Sequence, residues 1–413
     1  MAIHVSKLRC GMTLLAEPMP SVRSLALSWL VPGGSAEDPP ARLGRAAIWA
    51  ELLMRGTTSH DSRAHADAVD RLGASRHVEN GTYFLRLGSV MLGERLRQAL
   101  PLLTDMILRP RMEQDAVEPS RDLALQALAS LADDPQERAM IAARERHFPA
   151  PLNRSGLGTE GGINSLTHEE LVHGWAEVQN PSRSIFCAAG ALDPGELAHQ
   201  LDEILSDWAG SSPEPTVETA APRGYAHEED ETNQVQIVVV HDAPKETSGD
   251  ALLEKIVVSV LSGGMSGRLF SEVREKRGLC YSVSAGYRGD RDFGGVTAYV
   301  GTTPQRAQES LDVLLAEMQR IQTPAGAITE EEFRRAVVGM KSRLVFSGES
   351  SNARASAIGS DFFRIGRCRT LDELSREVDQ VTLEQVNDYL RRRRTGTLTI
   401  QTVGPQPLNP PAA

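Results

Sequence analysis

Two short stretches decide the fold, residues 166–171 (LTHEEL) and residues 381–386 (VTLEQV). In each, the threonine, Thr167 or Thr382, is suited to cap the start of a helix. Each helix then leads into an apolar strand: residues 184–190 (SIFCAAG) and residues 397–404 (TLTIQTVG). The same order of elements near the end of each half predicts an internal duplication.

The segments upstream repeat in the same way. Apolar strands are predicted at 25–31 and 235–240, helices at 43–54 and 251–261, further strands at 82–87 and 295–300, and amphipathic helices around Leu96–Ile107 and Leu311–Met318. The predicted fold class is therefore α+β, with two duplicated domains that each have a mostly antiparallel sheet and helices on one face.

The break between the halves is predicted from composition. Residues 213–232 are rich in proline and acids and have no apolar periodicity, which is typical of a linker. The predicted organisation is an N-terminal domain at 1–212, this linker, and a C-terminal domain at 233–413. The tail at 405–413 is predicted to be disordered.

Composition excludes some functions. The formal net charge of the 413 residues is -11, which is unsuited to phosphate binding, so no nucleic-acid partner is expected. No run of about 18 apolar residues occurs, so no membrane partner is expected, and the start of the chain lacks a signal-peptide pattern. The expected location is the cytoplasm. The four cysteines lie far apart and suggest neither a thiolate metal site nor a disulfide framework.

Several motifs carry a resemblance to a known family. They are Arg55-Gly56-Thr57, Asp133-Asp134-Pro135, Gly158-Thr159-Glu160, the glycine-rich run at 263–270, and residues 274–283 (REKRGLCYSV). With the order of elements, they resemble the pitrilysin/insulinase family of metallopeptidases, in particular two-domain chains similar to mitochondrial processing peptidase subunits. The resemblance implies that each chain forms half of a clam-shell chamber.

Active members of this family carry an inverted zinc motif, H-x-x-E-H, on a helix, and a later glutamate as third ligand. Anchored on Arg55-Gly56-Thr57, the resemblance places the two histidines at Ala47 and Glu51 and the general base at Ala50. Anchored on Asp133-Asp134-Pro135, it places the later ligand at Ala127. Because all four positions are changed, no metal and no cofactor are expected in this chain, and zinc is expected in a partner.

Residues of the second half match the family's substrate-contacting pair. Arg274 and Tyr281 have the R-x6-Y spacing, which implies that they act in trans on a substrate carbonyl and its backbone. The alternative is that Arg274 pairs with a nearby acid while Tyr281 fills a strand.

Two further segments are candidates for substrate binding. The glycine-rich segment Gly263, Gly264, Met265, Ser266 and Gly267 resembles a substrate-guiding loop, and a helix end followed by a turn is the alternative. The family adds its substrate as a strand to a sheet edge, which here falls near Glu79 and Asn80. An edge strand without a bound peptide is the alternative.

Other constellations have ordinary explanations. The pairs His60/His65 and His168/His173 are spaced i, i+5, which separates side chains by about 140° on a helix. The run Arg391–Arg394 suits the negative end of a helix. No G-x-S-x-G pattern supports serine catalysis.

The functional expectation is a non-catalytic subunit of a heterodimeric zinc peptidase. A homologous H-x-x-E-H chain would be its partner and a peptide its substrate. The alternative is a proteolytically inactive scaffold or peptide-binding homodimer.

Overall fold

The structure, a computed structural model, describes residues 2–217 and 220–410. Its strands are β1 (His4–Lys7), β2 (Thr13–Pro18), β3 (Ser24–Pro32), β4 (His77–Asn80), β5 (Phe84–Leu92), β6 (Ile185–Gly190), β7 (Gly224–Glu229), β8 (Val235–Asp242), β9 (Cys280–Gly289), β10 (Gly294–Thr302) and β11 (Thr399–Gly404).

The helices are α1 (Arg45–Leu52), α2 (Ser62–Asp70), α3 (Leu96–Leu108), α4 (Gln114–Ala129), α5 (Pro135–His147), α6 (Glu160–Ser165), α7 (His168–Val178), α8 (Pro194–Ile204), α9 (Ala251–Ser262), α10 (Ala307–Arg320), α11 (Glu330–Gly348), α12 (Ser351–Ile365), α13 (Leu371–Asp379) and α14 (Leu383–Arg392). Among the short turns between them is a π-helical one at Phe270–Glu275.

Two sheets confirm the α+β class and the mostly antiparallel pairing. The first sheet has the order β1-β2-β6-β3-β5-β4 and the second the order β7-β11-β8-β10-β9. Each contains one parallel pair, β2 with β6 and β7 with β11. Removing β1 makes the two orders correspond strand for strand, so the duplication predicted from the sequence is present in the topology.

The predicted helix starts are those of the structure. Thr167 caps α7 and Thr382 caps α14, and in both the third helical residue, Glu170 or Gln385, bonds back to the capping residue. Two such hydrogen bonds satisfy donors that a helix N-terminus otherwise leaves unpaired. This local chemistry fixes where both helices begin.

The two compact units do not follow the halves of the chain. The first comprises Met1–Ser130, Ala150–Glu218 and Ser347–Thr370, and the second Leu131–Pro149, Thr219–Phe346 and Leu371–Ala413. Helix α12 of the C-terminal half therefore packs on β3 and β6 in the first unit, while α5 of the N-terminal half packs on β8 and β11 in the second.

Each exchanged helix meets its sheet through small or paired side chains. In the first unit, Gly359 of α12 lies so near Cys187 that an added Cβ would be 2.6 Å from its sulfur. The guanidinium of Arg354 donates to the carboxylate of Glu17 across 2.8 Å, and both are buried. In the second unit, Ala139 and Ala143 of α5 are fully buried. Small residues let a helix approach a sheet closely.

Two parts of the chain differ from the sequence-based expectation. Residues 213–232, expected to be a linker, contain β7, whose Tyr225 hydroxyl lies 3.1 Å from that of Thr402. Polar edge strands have a linker-like composition, which hides them in the sequence. The tail is held where it is described, since the amide of Leu408 donates to Tyr225 and that of Asn409 to Gln308. Residues 411–413 lie outside the described residues.

Candidate functional site

The helix that matches the family's zinc helix is intact. The buried carboxylate of Asp38 accepts hydrogen bonds from the amides of Gly44 and Ala46 at 2.9 and 3.0 Å and so caps α1 from a distance. Burial raises the pKa of Asp38 to about 6, although those amides and Arg45 oppose the shift. Gly44 has φ +109°, and an added Cβ would collide with Ile163 at 2.5 Å. The start of α1 is thus fixed without any metal ligand.

One face of α1 is buried. Trp49 donates from its indole nitrogen to the carbonyl of Leu171 at 2.9 Å, and its ring lies 5.5 Å from that of Trp175. Ile48 and Leu52 are also buried. This packing holds α1 firmly against the rest of the first unit.

The positions that match the zinc motif lie on the other, partly exposed face. They are Ala47, Ala50 and Glu51. Helix α4, which carries the exposed Ala127, and the edge strand β4 both pack against α1. The elements that would build the zinc site are therefore neighbours in the first unit.

The residues present do not fit a zinc ion. Zinc needs nitrogen, sulfur or carboxylate ligands, and the three alanines supply none. Glu51 is a single carboxylate, and its side chain forms no hydrogen bond or ion pair with the described residues. Within residues 2–217 and 220–410, no group of three or more His, Cys, Asp or Glu side chains is arranged to hold a metal ion.

The expected substrate edge is an edge in the structure. Strand β4 ends the first sheet and pairs only with β5 among the described strands. Glu79 is ion-paired with Arg86, and the amide nitrogen of Asn80 donates to the carbonyl of Gly156 at 2.8 Å. Both side chains are thus engaged within the unit, which leaves the backbone of β4 as the group that could meet a peptide.

Arg274 and Tyr281 lie together in the second unit. The guanidinium carbon of Arg274 is 5.0 Å from the centre of the Tyr281 ring and 4.9 Å from that of Phe270. These are cation–π distances. The side chain of Tyr281 is 83% exposed, at the start of the edge strand β9. The tyrosine does not fill a core position, and the guanidinium of Arg274 contacts two aromatic rings.

The glycine-rich segment ends one helix and forms a turn. Gly263 closes α9, Gly264 has φ +131°, and the amide of Gly267 donates to the carbonyl of Gly264 at 2.9 Å. Met265 is 77% exposed, and Ser266 is exposed beside it. The buried Arg268 then fixes the segment's end, because it donates to Glu332 and to the carbonyl of Gly326. An exposed turn between fixed ends can contact a partner or substrate.

One histidine pair differs from the expectation. Helix α2 begins at Ser62, so His60 precedes the helix, and its ring lies 6.3 Å from that of His65. The helical spacing rule therefore does not apply to this pair. In the other pair, His168 bonds to the carbonyl of Met112 and His173 lies near Glu169.

In the run Arg391–Arg394, one arginine is buried in an ion pair, which a charged helix end alone does not explain. Arg393 is buried, forms an ion pair with the fully buried Glu254 and contacts His241, whereas Arg392 pairs with Asp250 on the surface. Burial and Arg393 together lower the pKa of His241 to about 4, so this histidine is neutral at pH 7. Sequence composition gave no sign that one arginine of four would be buried.

Comparison with known proteins covers most of the chain. Residues 14–159 match the model described as insulinase (peptidase family M16), and residues 165–340 match the model described as peptidase M16 inactive domain. The chain is 26% identical over 404 residues to an uncharacterised zinc protease, YmxG, of Bacillus subtilis, with 96% of each chain covered. It is 25% identical to an uncharacterised zinc protease of Streptomyces coelicolor, with 96% of this chain and 88% of the other covered.

Solved structures share the fold. An M16 inactive-domain protein of Pseudomonas fluorescens superposes with a TM-score of 0.86 at 19% identity, over all of both chains. A protease of Helicobacter pylori gives 0.85 at 15% identity and covers 97% of this chain and 99% of the other. A chain of complex III2 from Candida albicans gives 0.82 at 17% identity and covers 98% and 96%. In the part of this chain that the structure describes, no helix is both long and apolar enough to span a bilayer.

Proposed function

The chain belongs to the insulinase family of peptidases, M16, and on that premise we propose that it is the non-catalytic subunit of a two-chain zinc peptidase. The observation that carries the proposal is the pairing of an intact α1 with alanine at Ala47, Ala50 and Ala127. Such a helix is held in place at its start and along its buried face, but these alanines have no atoms that could bind zinc.

The proposed partner is a homologous chain that carries H-x-x-E-H. That chain would bind the zinc ion, which polarises water and the scissile carbonyl, and would provide the glutamate base. The many relatives named zinc proteases make such a homologue a reasonable partner.

In this proposal, Tyr281 is the main contribution of the present chain to the reaction. Its exposed hydroxyl would donate a hydrogen bond to the carbonyl oxygen as negative charge develops there. Arg274, stacked on the ring at 5.0 Å, would hold the ring in place and bring positive charge beside the substrate backbone. A donor already positioned for the transition state needs little rearrangement during the reaction.

The remaining candidates would guide the peptide. The backbone of β4 at Glu79 and Asn80 would pair with an extended substrate, and the exposed turn from Gly263 to Gly267 would contact it on entry. Together they favour an unstructured peptide as the substrate class, because only an extended chain can pair with a sheet edge.

The direct test uses the reconstituted pair. Tyr281→Phe removes only the donor, and we expect turnover to fall by about 100- to 1,000-fold, the effect typical of one such donor. Arg274→Ala should also lower turnover. Arg277→Ala is the matched control, since Arg277 lies on the same segment and pairs with Glu272 on the surface. Cleavage that survives both Tyr281→Phe and Arg274→Ala would refute the proposed role.

A scaffold or peptide-binding homodimer is the second candidate. It is favoured by the fold shared with a chain of complex III2 from Candida albicans. Affinity purification of this chain from its native cell separates the two. A stoichiometric H-x-x-E-H chain in the eluate supports the peptidase subunit, and recovery of the chain alone as a dimer supports the scaffold.

A further inference from the structure

The pair His60 and His65 lies away from the degenerate zinc motif and has no role in the proposed function. The turn at residues 57–60 is closed by a hydrogen bond from the amide of Thr57 to the carbonyl of His60 at 2.8 Å. Asp61 then caps α2, which carries His65 one turn later. The backbone on both sides of the pair is therefore fixed.

One ring nitrogen of His65 is hydrogen-bonded, and the other has no such partner in the part of the chain that the structure describes. The residue is fully buried, and Nε2 lies 3.0 Å from the carbonyl of Leu102. A carbonyl can only accept, so Nε2 carries the proton and Nδ1 has an unprotonated lone pair. Nδ1 is buried and has no hydrogen-bond partner among the described residues. A buried acceptor without a partner calls for an explanation, and a bound ion is one that the geometry of the two histidines allows to be tested.

The neighbours of His60 determine which of its ring nitrogens carries the proton, and it is the opposite nitrogen from that of His65. The hydroxyl of Ser59 donates to the carboxylate of Asp105 at 3.2 Å, and the ring Nδ1 of His60 lies 3.0 Å from the same hydroxyl oxygen. Because the hydroxyl proton is committed to Asp105, Nδ1 of His60 donates to Ser59. Its Nε2 is then left with a free lone pair.

We propose that His60 Nε2 and His65 Nδ1 form a two-histidine site for a divalent transition-metal ion of the zinc, nickel or copper class. Imidazole suits these ions, and histidine ligands usually donate their other ring N–H to a carbonyl or polar relay, as both rings do here. Since no third protein ligand joins them within the described residues, water completes the coordination.

The distance between the rings is compatible with a shared ion. Two imidazoles on one tetrahedral ion have ring centres about 5 Å apart, given metal–nitrogen bonds of about 2.1 Å. The observed 6.3 Å requires the rings to approach by about 1 Å. His60 is only partly buried and Ser59 is exposed, so the two side chains can move together by that distance and keep their hydrogen bond. The ion would link the turn at 57–60 to α2 and, through Leu102 and Asp105, to α3.

The test is zinc binding by the isolated full chain, measured by isothermal titration calorimetry. We expect one equivalent of Zn²⁺ to bind, and His60→Gln to weaken that binding at least tenfold. His199→Gln is the matched control, because His199 is an exposed histidine that lies 3.2 Å from Glu203. Equal zinc affinity in the wild type and His60→Gln would overturn the proposal.

A second measurement keeps the test valid if a variant at the buried His65 fails to fold. In the ¹⁵N NMR spectrum of the wild-type histidines, Zn²⁺ should shift the Nδ1 signal of one ring and the Nε2 signal of another, and both should be lost or unresponsive in His60→Gln. Zinc that shifts only exposed histidines, or shifts the same signals in His60→Gln, would contradict the two-histidine site. None of these readouts depends on peptidase activity, so the result is independent of the proposed function.

Discussion

The two units share a sheet order but differ in the side chains that the order positions. In the first unit, Asp38 holds the amides at the start of α1 and one face of the helix is buried, while Ala47 and Ala50 supply no ligand atoms. In the second, Arg274 and Tyr281 remain stacked at the start of an edge strand. The contacts that hold α1 in place are separate from those that would bind zinc, so the helix can keep its position without ligand atoms.

The edge strands of the two sheets also differ in length and in exposed side chains. Strands β4 and β9 occupy the same end of their sheets, yet β4 has four residues and β9 has ten. Glu79 and Asn80 of β4 are engaged within their unit, whereas Tyr281 of β9 is open to solvent. Of these three side chains, that of Tyr281 is the one that forms no hydrogen bond or ion pair with the described residues.

Adding ligand atoms to α1 and α4 is expected to have the largest effect. If only donor atoms are missing, Ala47→His, Ala50→Glu, Glu51→His and Ala127→Glu together should create a zinc site in the first unit. We expect one tightly bound equivalent of Zn²⁺, measured in a His60→Gln background so that the second site does not contribute. Failure to bind zinc in a folded variant would show that α1 and α4 no longer have the required geometry.

The next largest effect concerns the exchanged helix of the first unit. Arg354→Ala leaves Glu17 buried without its partner, and we expect the free energy of unfolding to fall by about 3–5 kcal/mol. Arg335→Ala removes an exposed i, i+4 partner of Glu331 and should cost about 0.5 kcal/mol or less. Urea denaturation of both variants measures their free energies of unfolding. Similar decreases in the two would show that the buried pair does not anchor α12.

Two carboxyls, one in each unit, should respond oppositely to acid. In the first, burial raises the pKa of Asp38 to about 6, so the folded state takes up a proton as the pH falls below 7. Its contribution to stability therefore grows between pH 7 and about 4, by up to roughly 3 kcal/mol. The difference in unfolding free energy between wild type and Asp38→Asn should shift in favour of wild type as the pH falls from 7.5 to 5. A difference independent of pH would contradict this account.

In the second unit, Glu332 should give the opposite and smaller response. Hydrogen bonds from Arg268 and Thr329 lower its pKa to about 2, although burial opposes them. Its stabilisation is present above about pH 4.5 and is lost as the pH falls towards 2, and partial exposure limits it to about 1–2 kcal/mol. Comparing acid unfolding of wild type and Glu332→Gln tests this, since the two should converge near pH 2.

The sequence predicted what local chemistry and periodicity determine. Thr167 and Thr382 were identified as caps, and the matching strands and helices gave the duplicated α+β fold. The exchange of α5 and α12 was not predicted, because packing between distant segments leaves no local pattern. Strand β7 was mistaken for a linker because its own acidic residues, and the prolines that precede it, are typical of a linker.

The site was predictable only in part. The absence of donors at Ala47, Ala50 and Ala127 is visible in the sequence, and so is the spacing of Arg274 and Tyr281. The contact between His60 and His65 was missed because it depends on α2 beginning between them. Burial of Arg393 depends on Glu254, which lies 139 residues away in the chain.

The most direct test of the central claim is a stoichiometric titration. A fixed amount of a homologous H-x-x-E-H chain is mixed with increasing amounts of this chain, and cleavage of an unstructured peptide is followed. The proposed subunit role predicts negligible cleavage by this chain alone and turnover that rises until the two chains are equimolar. Zinc-dependent cleavage by this chain alone, or turnover by the homologue that this chain does not change, would contradict it.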